Sequence, residues 1–388
     1  MTNEYEGIDL IHLILSLDYE IFGNGAGDVR RDIIEPTNRL LNICDKHSTK
    51  MTIMFEVGEY RAFEQYASQL RKDLGYSPCE QMRKQAIDAV RRGHDVQMHL
   101  HPQWIGAKRD KGVWQLCNSY WRLADLPGGL GSKNQITSIT GALHTGKEML
   151  EDMIKPVKAD YECVCFRAGG FYAQPSENII SAMKKVGLRA DSSVVKGYKT
   201  STPFEVDYSH VKTDKAAWWT TDTELTAEGK PGKNIIELSV SSRMQPYWKN
   251  FKKTKLRAAL KRRRAEKASH GNHTTDRDIS SVPDFRTVLK SMLRNCPSTF
   301  DFCKLSSKDM LRRIKEHSKY PEQPIVMIGH SKDFVNDRES DKFLASLCRN
   351  ENVSFQNMSD YVQRAVSVLD ISSSSETDYA DLGLSGTK

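Results

Sequence analysis

Short apolar runs alternate with helix-length amphipathic stretches along most of this chain, and that alternation limits its possible folds more than any other feature. The runs LIHLILSLD (10–18), KMTIMFEVG (50–58), HDVQMHL (94–100), CVCFRAG (163–169), LRADSSV (188–194), NIIELSV (234–240) and PIVMIGH (324–330) read as buried strands. Between them, IIEPTNRLLNICDKH (33–47), residues 59–72, residues 80–92 ended by Gly93, and PSENIISAMKKVG (175–187) read as helices. Strand followed by helix, without a run of consecutive hairpins, predicts parallel βα units in a barrel or a doubly wound sheet. No GxGxxG or Walker sequence follows the first strand, which argues against the nucleotide-binding members of that class. Residues 105–136, rich in Gly, Trp and Tyr, are expected to form a long loop.

The 388 residues suffice for one large barrel domain, expected over 1–370, with a basic helical insert at about 245–280. Residues 371–388, ISSSSETDYADLGLSGTK, have little to bury and are expected to be a disordered acidic, Ser-rich tail. The net charge of +7 comes from one place, since KNFKKTKLRAALKRRRAEK (249–267) holds ten Lys/Arg against one Glu, leaving the remainder at −2. Three readings fit that segment: a solvated helix, attraction to an anionic membrane surface, or attraction to phosphate-bearing substrates. Nucleic acid is not an expected partner, because few aromatic residues interleave with the charges. The eight cysteines form no CxxC pair and read as reduced thiols, with Cys163 and Cys165 as small buried hydrophobes. The mean hydropathy of −0.57 and the lack of a basic n-region ahead of IHLIL give a cytoplasmic address as the expectation.

In βα architectures the reactive residues collect where strands end and loops begin. Five such ends bring Asp18, Glu20, His99, His101, Arg167, Asp191 and His330 to one rim. Strand alternation points Asp18 and Glu20 the same way, and two carboxylates so close are unfavourable unless a cation lies between them or one is protonated. His99 and His101 follow the same two-residue spacing. One carboxylate with two neutral imidazoles is a common catalytic divalent-metal set, so Glu20, His99 and His101 would hold an ion and Asp18 would take a proton from its water. Trp104, Trp114, Trp121, Trp218 and Trp219 either stack on a substrate or pack under loops.

In order and spacing, SLDYEIFG, GHDVQMHLHPQW, FRAGGFY, ADSSVV and MIGHSKDF resemble the motifs of the polysaccharide deacetylases, the NodB-homology group of carbohydrate esterase family four. The resemblance covers roughly residues 8–362. It implies a distorted (β/α) barrel with about seven strands, a bound divalent metal with zinc the first expectation, and hydrolysis of an N-acetyl group on a sugar. It also implies roles: Asp18 as catalytic base, Glu20 as metal-binding acid, Arg167 orienting Asp18, and a charged His330, held by Asp191, protonating the departing amine. His99 matches the first histidine of the second motif, while the position of the second is Gln103, so either His101 or Gln103 faces the ion. Gly169 stands where the third motif usually carries proline.

A cytoplasmic deacetylase would act on a precursor, a nucleotide- or lipid-linked N-acetyl sugar in surface polysaccharide synthesis. The segment 249–267 would then draw in phosphate or touch the membrane's inner leaflet. Two other readings stand beside this one. One is hydrolysis of a non-sugar carbon–nitrogen bond, allantoinase-like or imidase-like; the other is a catalytically dead sugar-binding protein whose metal site is lost through Gln103.

Overall fold

The structure, a computed structural model, describes residues 10–201, 204–211, 216–246, 295–317 and 323–367. The basic segment 249–267 and the tail 371–388 lie outside the described residues.

The strands of the main sheet are β1 (Ile11–Tyr19), β2 (Thr52–Glu56), β3 (Asp95–Leu100), β4 (Cys165–Ala168), β5 (Ala190–Asp191), β6 (Ala217–Trp219), β7 (Ile236–Leu238), β8 (Ile325–His330) and β9 (Val353–Gln356). They are ordered β6-β7-β5-β4-β3-β2-β1-β8, and β9 adds to β1. Every pairing is parallel except β6 with β7. The ring is completed by bridges instead of a full ladder: Val240 bridges both Val195 and Val326, and Ser241 N donates to Val326 O at 2.9 Å. The architecture is therefore an α/β fold on a curled, mostly parallel sheet, a distorted barrel, as the strand–helix alternation predicts.

Period-two alternation sorts each strand between two cores. Leu13, Leu15 and Leu17 of β1, with Ile53 and Phe55 of β2, join the large cluster under the outer helices. Ile14, Met54, Leu238 and Val326 form a smaller cluster with Met358 and Val362, which come from the helical residues 358–367. Above that apolar layer the strands carry polar side chains, Ser16, Asp18, Arg167 and Asp191, all buried.

The helices are α1 (Glu35–Lys46), α2 (Val57–Gln65), α3 (Ala67–Leu74), α4 (Pro78–Arg91), α5 (Ile139–Ile154), α6 (Glu177–Val186), α7 (Ser307–His317) and α8 (Asp337–Leu347). Their ends follow the signals in the sequence. Ser77 caps α4 ahead of Pro78, and Gly187 ends α6 at φ 78°. The helix expected at 59–72 begins instead at Val57 and breaks at Tyr66 into α2 and α3; the Glu56 side chain caps its start by accepting from Gly58 N and Glu59 N. The expected loop at 105–136 contains a hairpin, Lys108–Asp110 with Val113–Gln115, and short 3-10 turns. A further antiparallel pair joins Ser242–Pro246 to Asn295–Thr299.

None of the eight cysteines is in a disulfide, and burial pushes the Cys163 thiol up to about 12, which makes it an inert hydrophobe. Among the described residues no helix is long and apolar enough to cross a membrane.

His94, at the start of β3, ties the barrel to α1. Its Nδ1 accepts from Met51 N at 3.2 Å and its Nε2 lies 3.0 Å from Asp45 Oδ1. Burial, opposed by Asp45, pulls the imidazole down to about 4. The unfolded chain therefore binds the proton first, so this residue's contribution is complete above pH 6.5 and is lost as pH falls toward 4, a difference of about 3 kcal/mol. Guanidinium titrations across that window should show stability falling with acid. His94→Asn should lower stability at pH 7 yet flatten the slope, and an unchanged slope would contradict this assignment.

Candidate metal and hydrolytic site

The parallel register places the strand-end residues beside one another: Asp18 opposite His330 on β8, Glu56 opposite His99, and His99 opposite Arg167. Arg167, fully buried, is held at every nitrogen. Nη1 meets Asp18 Oδ1 at 2.5 Å, Nε donates to Ser192 O at 2.9 Å, and Nη2 donates to Ser16 Oγ at 2.9 Å and Ser192 Oγ at 3.0 Å. The two hydroxyls are themselves aimed by donating to Met327 O and Leu238 O. Burial would raise the Asp18 carboxyl, but Arg167, His99 and His330 outweigh it and hold the group below its ordinary value, so it is ionised near neutral pH.

Glu20 lies just past β1. Its Oε2 is 2.8 Å from His101 Nε2 and 3.4 Å from His99 Nε2, and its Oε1 is 2.6 Å from Lys332 Nζ. Burial pushes the carboxyl up, yet Lys332 and His101 bring it well below the usual range. His99 Nδ1 sits 2.9 Å from Arg167 O, where an N–H can only donate, so in the neutral ring the lone pair falls on Nε2. That Nε2 is buried, and among the described residues it meets no hydrogen-bond geometry, with Glu20 Oε2 at 3.4 Å. Burial disfavours a charged His99, but Asp18, Glu20 and Glu56 together push it up to about 9. The field at His99 favours positive charge.

Ligand atoms of Glu20, Glu56, His99 and His101 all fall within 4.8 Å of one another, a buried group able to hold a metal ion. The donor chemistry fits a divalent cation, two imidazole nitrogens and a carboxylate oxygen, and His99 Nε2 is a buried donor atom left without another use. Glu56 is the weakest candidate ligand of the four, because Oε1 caps α2 and Oε2 accepts from His101 N at 2.8 Å. Between His101 and Gln103 the geometry favours His101: Gln103 stands behind it, its Nε2 3.1 Å from His101 Nδ1.

Six of the seven residues read from the sequence converge here; Asp191 does not reach His330. Its carboxylate accepts from Ser193 N at 2.7 Å and Ser193 Oγ at 2.8 Å, and it pairs with Glu237 across from β7. The groups that bear on His330 are Lys304, Asp18, Asp333 and Lys332. His330 Nε2 is 3.5 Å from Asp18 Oδ2. Nor is His330 charged at neutral pH, because burial and then Lys304 hold it below 6.5.

Sequence reading missed Ser16, Glu56, Glu59, Ser192 and Lys332. Ser16 and Lys332 were accessible by the two-residue logic that paired Asp18 with Glu20, lying two positions from Asp18 and from His330. Glu59, which accepts from Ile21 N at 3.1 Å, carried no local signal. Of the tryptophans, Trp104 and Trp218 pack as core, Trp104 edge-on to Phe63 and Trp114, and Trp218 donating to Leu225 O at 2.8 Å.

No family model matches the sequence, and no curated protein matches it. Similar solved structures include a candidate polysaccharide deacetylase from Mycobacterium smegmatis, with 11% identity, a TM-score of 0.44 and coverage of 94% of this chain and 93% of that one. A Puue allantoinase matches at 11% identity and a TM-score of 0.42, covering 92% of this chain and 91% of its own. A 4-alpha-glucanotransferase from Thermococcus litoralis matches at 11% and 0.46, covering 92% of this chain and 40% of its own. At these identities and scores the likeness adds nothing to what the site's own geometry says.

Removing Arg167 would leave Asp18 charged, buried and unpaired. Arg167→Met should therefore cost about 3–5 kcal/mol in urea unfolding, and Asp18→Asn on top of it should recover part of the loss. A single substitution within experimental error of wild type would contradict the pairing.

Proposed function

We propose that this chain is a metal-dependent hydrolase that removes an N-acetyl group from a sugar. The observation that carries the reading is the convergence of Glu20 Oε2, His99 Nε2 and His101 Nε2 beside a carboxylate, Asp18, that is pinned by Arg167. The five strand-end stretches that resemble polysaccharide deacetylases supply the substrate class.

Glu20, His99 and His101 would hold the ion, with zinc the first choice for two imidazoles and one carboxylate. When bound, a divalent cation polarises the amide carbonyl and acidifies water. Everything else is done by the chain. Asp18, ionised and fixed in direction by Arg167, takes the proton of the attacking water. Its Oδ2 is 3.5 Å from His330 Nε2, so the proton can pass to His330, which starts neutral and becomes the acid that protonates the leaving amine. Asp191 does not take part in this relay directly.

The substrate is a precursor in surface polysaccharide synthesis, nucleotide- or lipid-linked, and the cytoplasmic address and the role of 249–267 in drawing in phosphate or membrane belong to the same proposal. One observation favours a second reading, a sugar-binding protein without hydrolytic activity: Lys332 Nζ already gives the Glu20 carboxylate a positive partner.

Zinc titration of chelator-treated protein, with acetate release from N-acetylated sugars measured in parallel, separates the two. The hydrolase reading expects one ion per chain and acetate release; no uptake supports the second. Asp18→Asn and His330→Gln should each cost about a hundredfold to ten-thousandfold in kcat. Because the relay needs His330 neutral at the outset, kcat/KM should rise with pH through its ionisation, below 6.5, and then level off. A profile falling through that range would rule out the relay.

A further inference from the structure

The second imidazole of the cluster is held in an unusual way, by groups with no assigned role. His101 lies beyond the end of β3, where strand alternation no longer fixes its direction. Three neighbours fix it instead. Its backbone N–H donates to Glu56 Oε2 at 2.8 Å. Its Nδ1 is met at 3.1 Å by the Nε2 of Gln103, a fully buried amide. Its ring lies flat in space that a side chain at position 169 would fill: a Cβ built on Gly169 would sit 2.6 Å from His101 Cδ2, 2.5 Å from Nδ1, and closer still to Cγ. Gly169 does not adopt a positive φ, so what an alanine there meets first is the imidazole and not a strained backbone.

We propose that Gln103 and Gly169 form a cradle that positions His101 as the second imidazole of the cation site, with the Gln103 amide on Nδ1 deciding which ring nitrogen is presented to the ion. The inference rests on the cation reading given above and adds to it two positioning residues that touch neither ion nor substrate.

The chemistry of the amide makes the cradle specific. In the arrangement seen, Gln103 Nε2 donates to Nδ1, which leaves the ring proton on Nε2, directed at Glu20 Oε2 at 2.8 Å. A cation on Nε2 needs the lone pair there, so the proton must move to Nδ1, with none gained or lost by the ring. An acceptor must then replace the donor. Gln103 carries one: among the described residues its buried Oε1 makes no hydrogen bond, and Nε2 otherwise donates only to Gly23 O at 3.4 Å. Turning the amide by half a rotation presents Oε1 to Nδ1–H. An amide can serve both tautomers, whereas leucine can serve neither and a carboxylate only the ion-binding one.

The test uses the full chain, zinc as the probe, a chromophoric chelator to measure affinity by competition, and nitrogen-15 NMR of the histidine rings to read the tautomer. Wild type, His101→Ala, Gln103→Leu, Gln103→Glu and Gly169→Ala are compared, with thermal midpoints to confirm folding. Gln103→Leu should weaken zinc about 10- to 100-fold and leave His101 in mixed tautomers. Gln103→Glu should bind at least as tightly as wild type with His101 protonated on Nδ1. Gly169→Ala should approach His101→Ala. If Gly169→Ala fails to fold, the contrast between leucine and glutamate at 103 still decides. Zinc uptake by wild type with unchanged affinity and tautomer in Gln103→Leu overturns the cradle and leaves the cation reading standing. No uptake by wild type overturns both.

Discussion

Buried negative charge at the mouth of the barrel is the constraint on which the rest of the site depends. Asp18, Glu20, Glu56 and Glu59 are all buried within one group of strand ends and the loops that follow. Burying a carboxylate is costly unless it is paired, hydrogen-bonded or protonated, and the chain pairs some of these groups and hydrogen-bonds the others. Asp18 has Arg167. Glu56 and Glu59 spend their oxygens on backbone N–H groups, and burial pushes both carboxyls up. Glu20 has Lys332 on one oxygen while the other faces two imidazoles. Asp18, Glu20 and Glu56 outweigh burial and push His99 up to about 9, so the field there favours positive charge, and a divalent ion is a species that two imidazoles and a carboxylate are suited to take.

The barrel supplies this arrangement because parallel strands end together. Asp18 on β1 is register-matched to His330 on β8, Glu56 on β2 to His99 on β3, and His99 to Arg167 on β4, with Glu56 only two positions past Met54, the partner of Asp18, so these groups meet without any long loop having to be ordered. Beneath them Ser16 and Ser192 lock the guanidinium, and both are tied to carbonyls of neighbouring strands. Errors in the direction of Asp18 are thus resisted by the sheet itself, which is where a proton acceptor is best placed.

Much of this was legible in the chain's own alternation. Apolar runs at 10–18, 94–100 and 324–330 match β1, β3 and β8 almost residue for residue, and the run at 50–58 matches β2 over Thr52–Glu56, because buried parallel strands are apolar on both faces and stand out. The run at 188–194 gave only the two residues Ala190–Asp191, since beyond them the chain bends to make single bridges that close the ring. Helix α2 begins earlier than its pattern suggests because Glu56, read as the end of a strand, is also its cap. In the site, residues two apart on one strand could be paired from sequence. Contacts made across strands could not: Asp191 turned to Ser193 and Glu237 instead of His330, and Lys304, distant in sequence, lies near His330 in its place. Gln103 and Gly169, which look like departures from the polysaccharide deacetylase pattern, lie against the same imidazole.

The most direct measurement is anomalous X-ray scattering at the zinc edge from crystals grown with the ion. The account predicts one strong peak at about 2.0–2.2 Å from Glu20 Oε2, His99 Nε2 and His101 Nε2, with Asp18 outside the coordination sphere. A map with no peak there, and Lys332 still seated on Glu20, would contradict it.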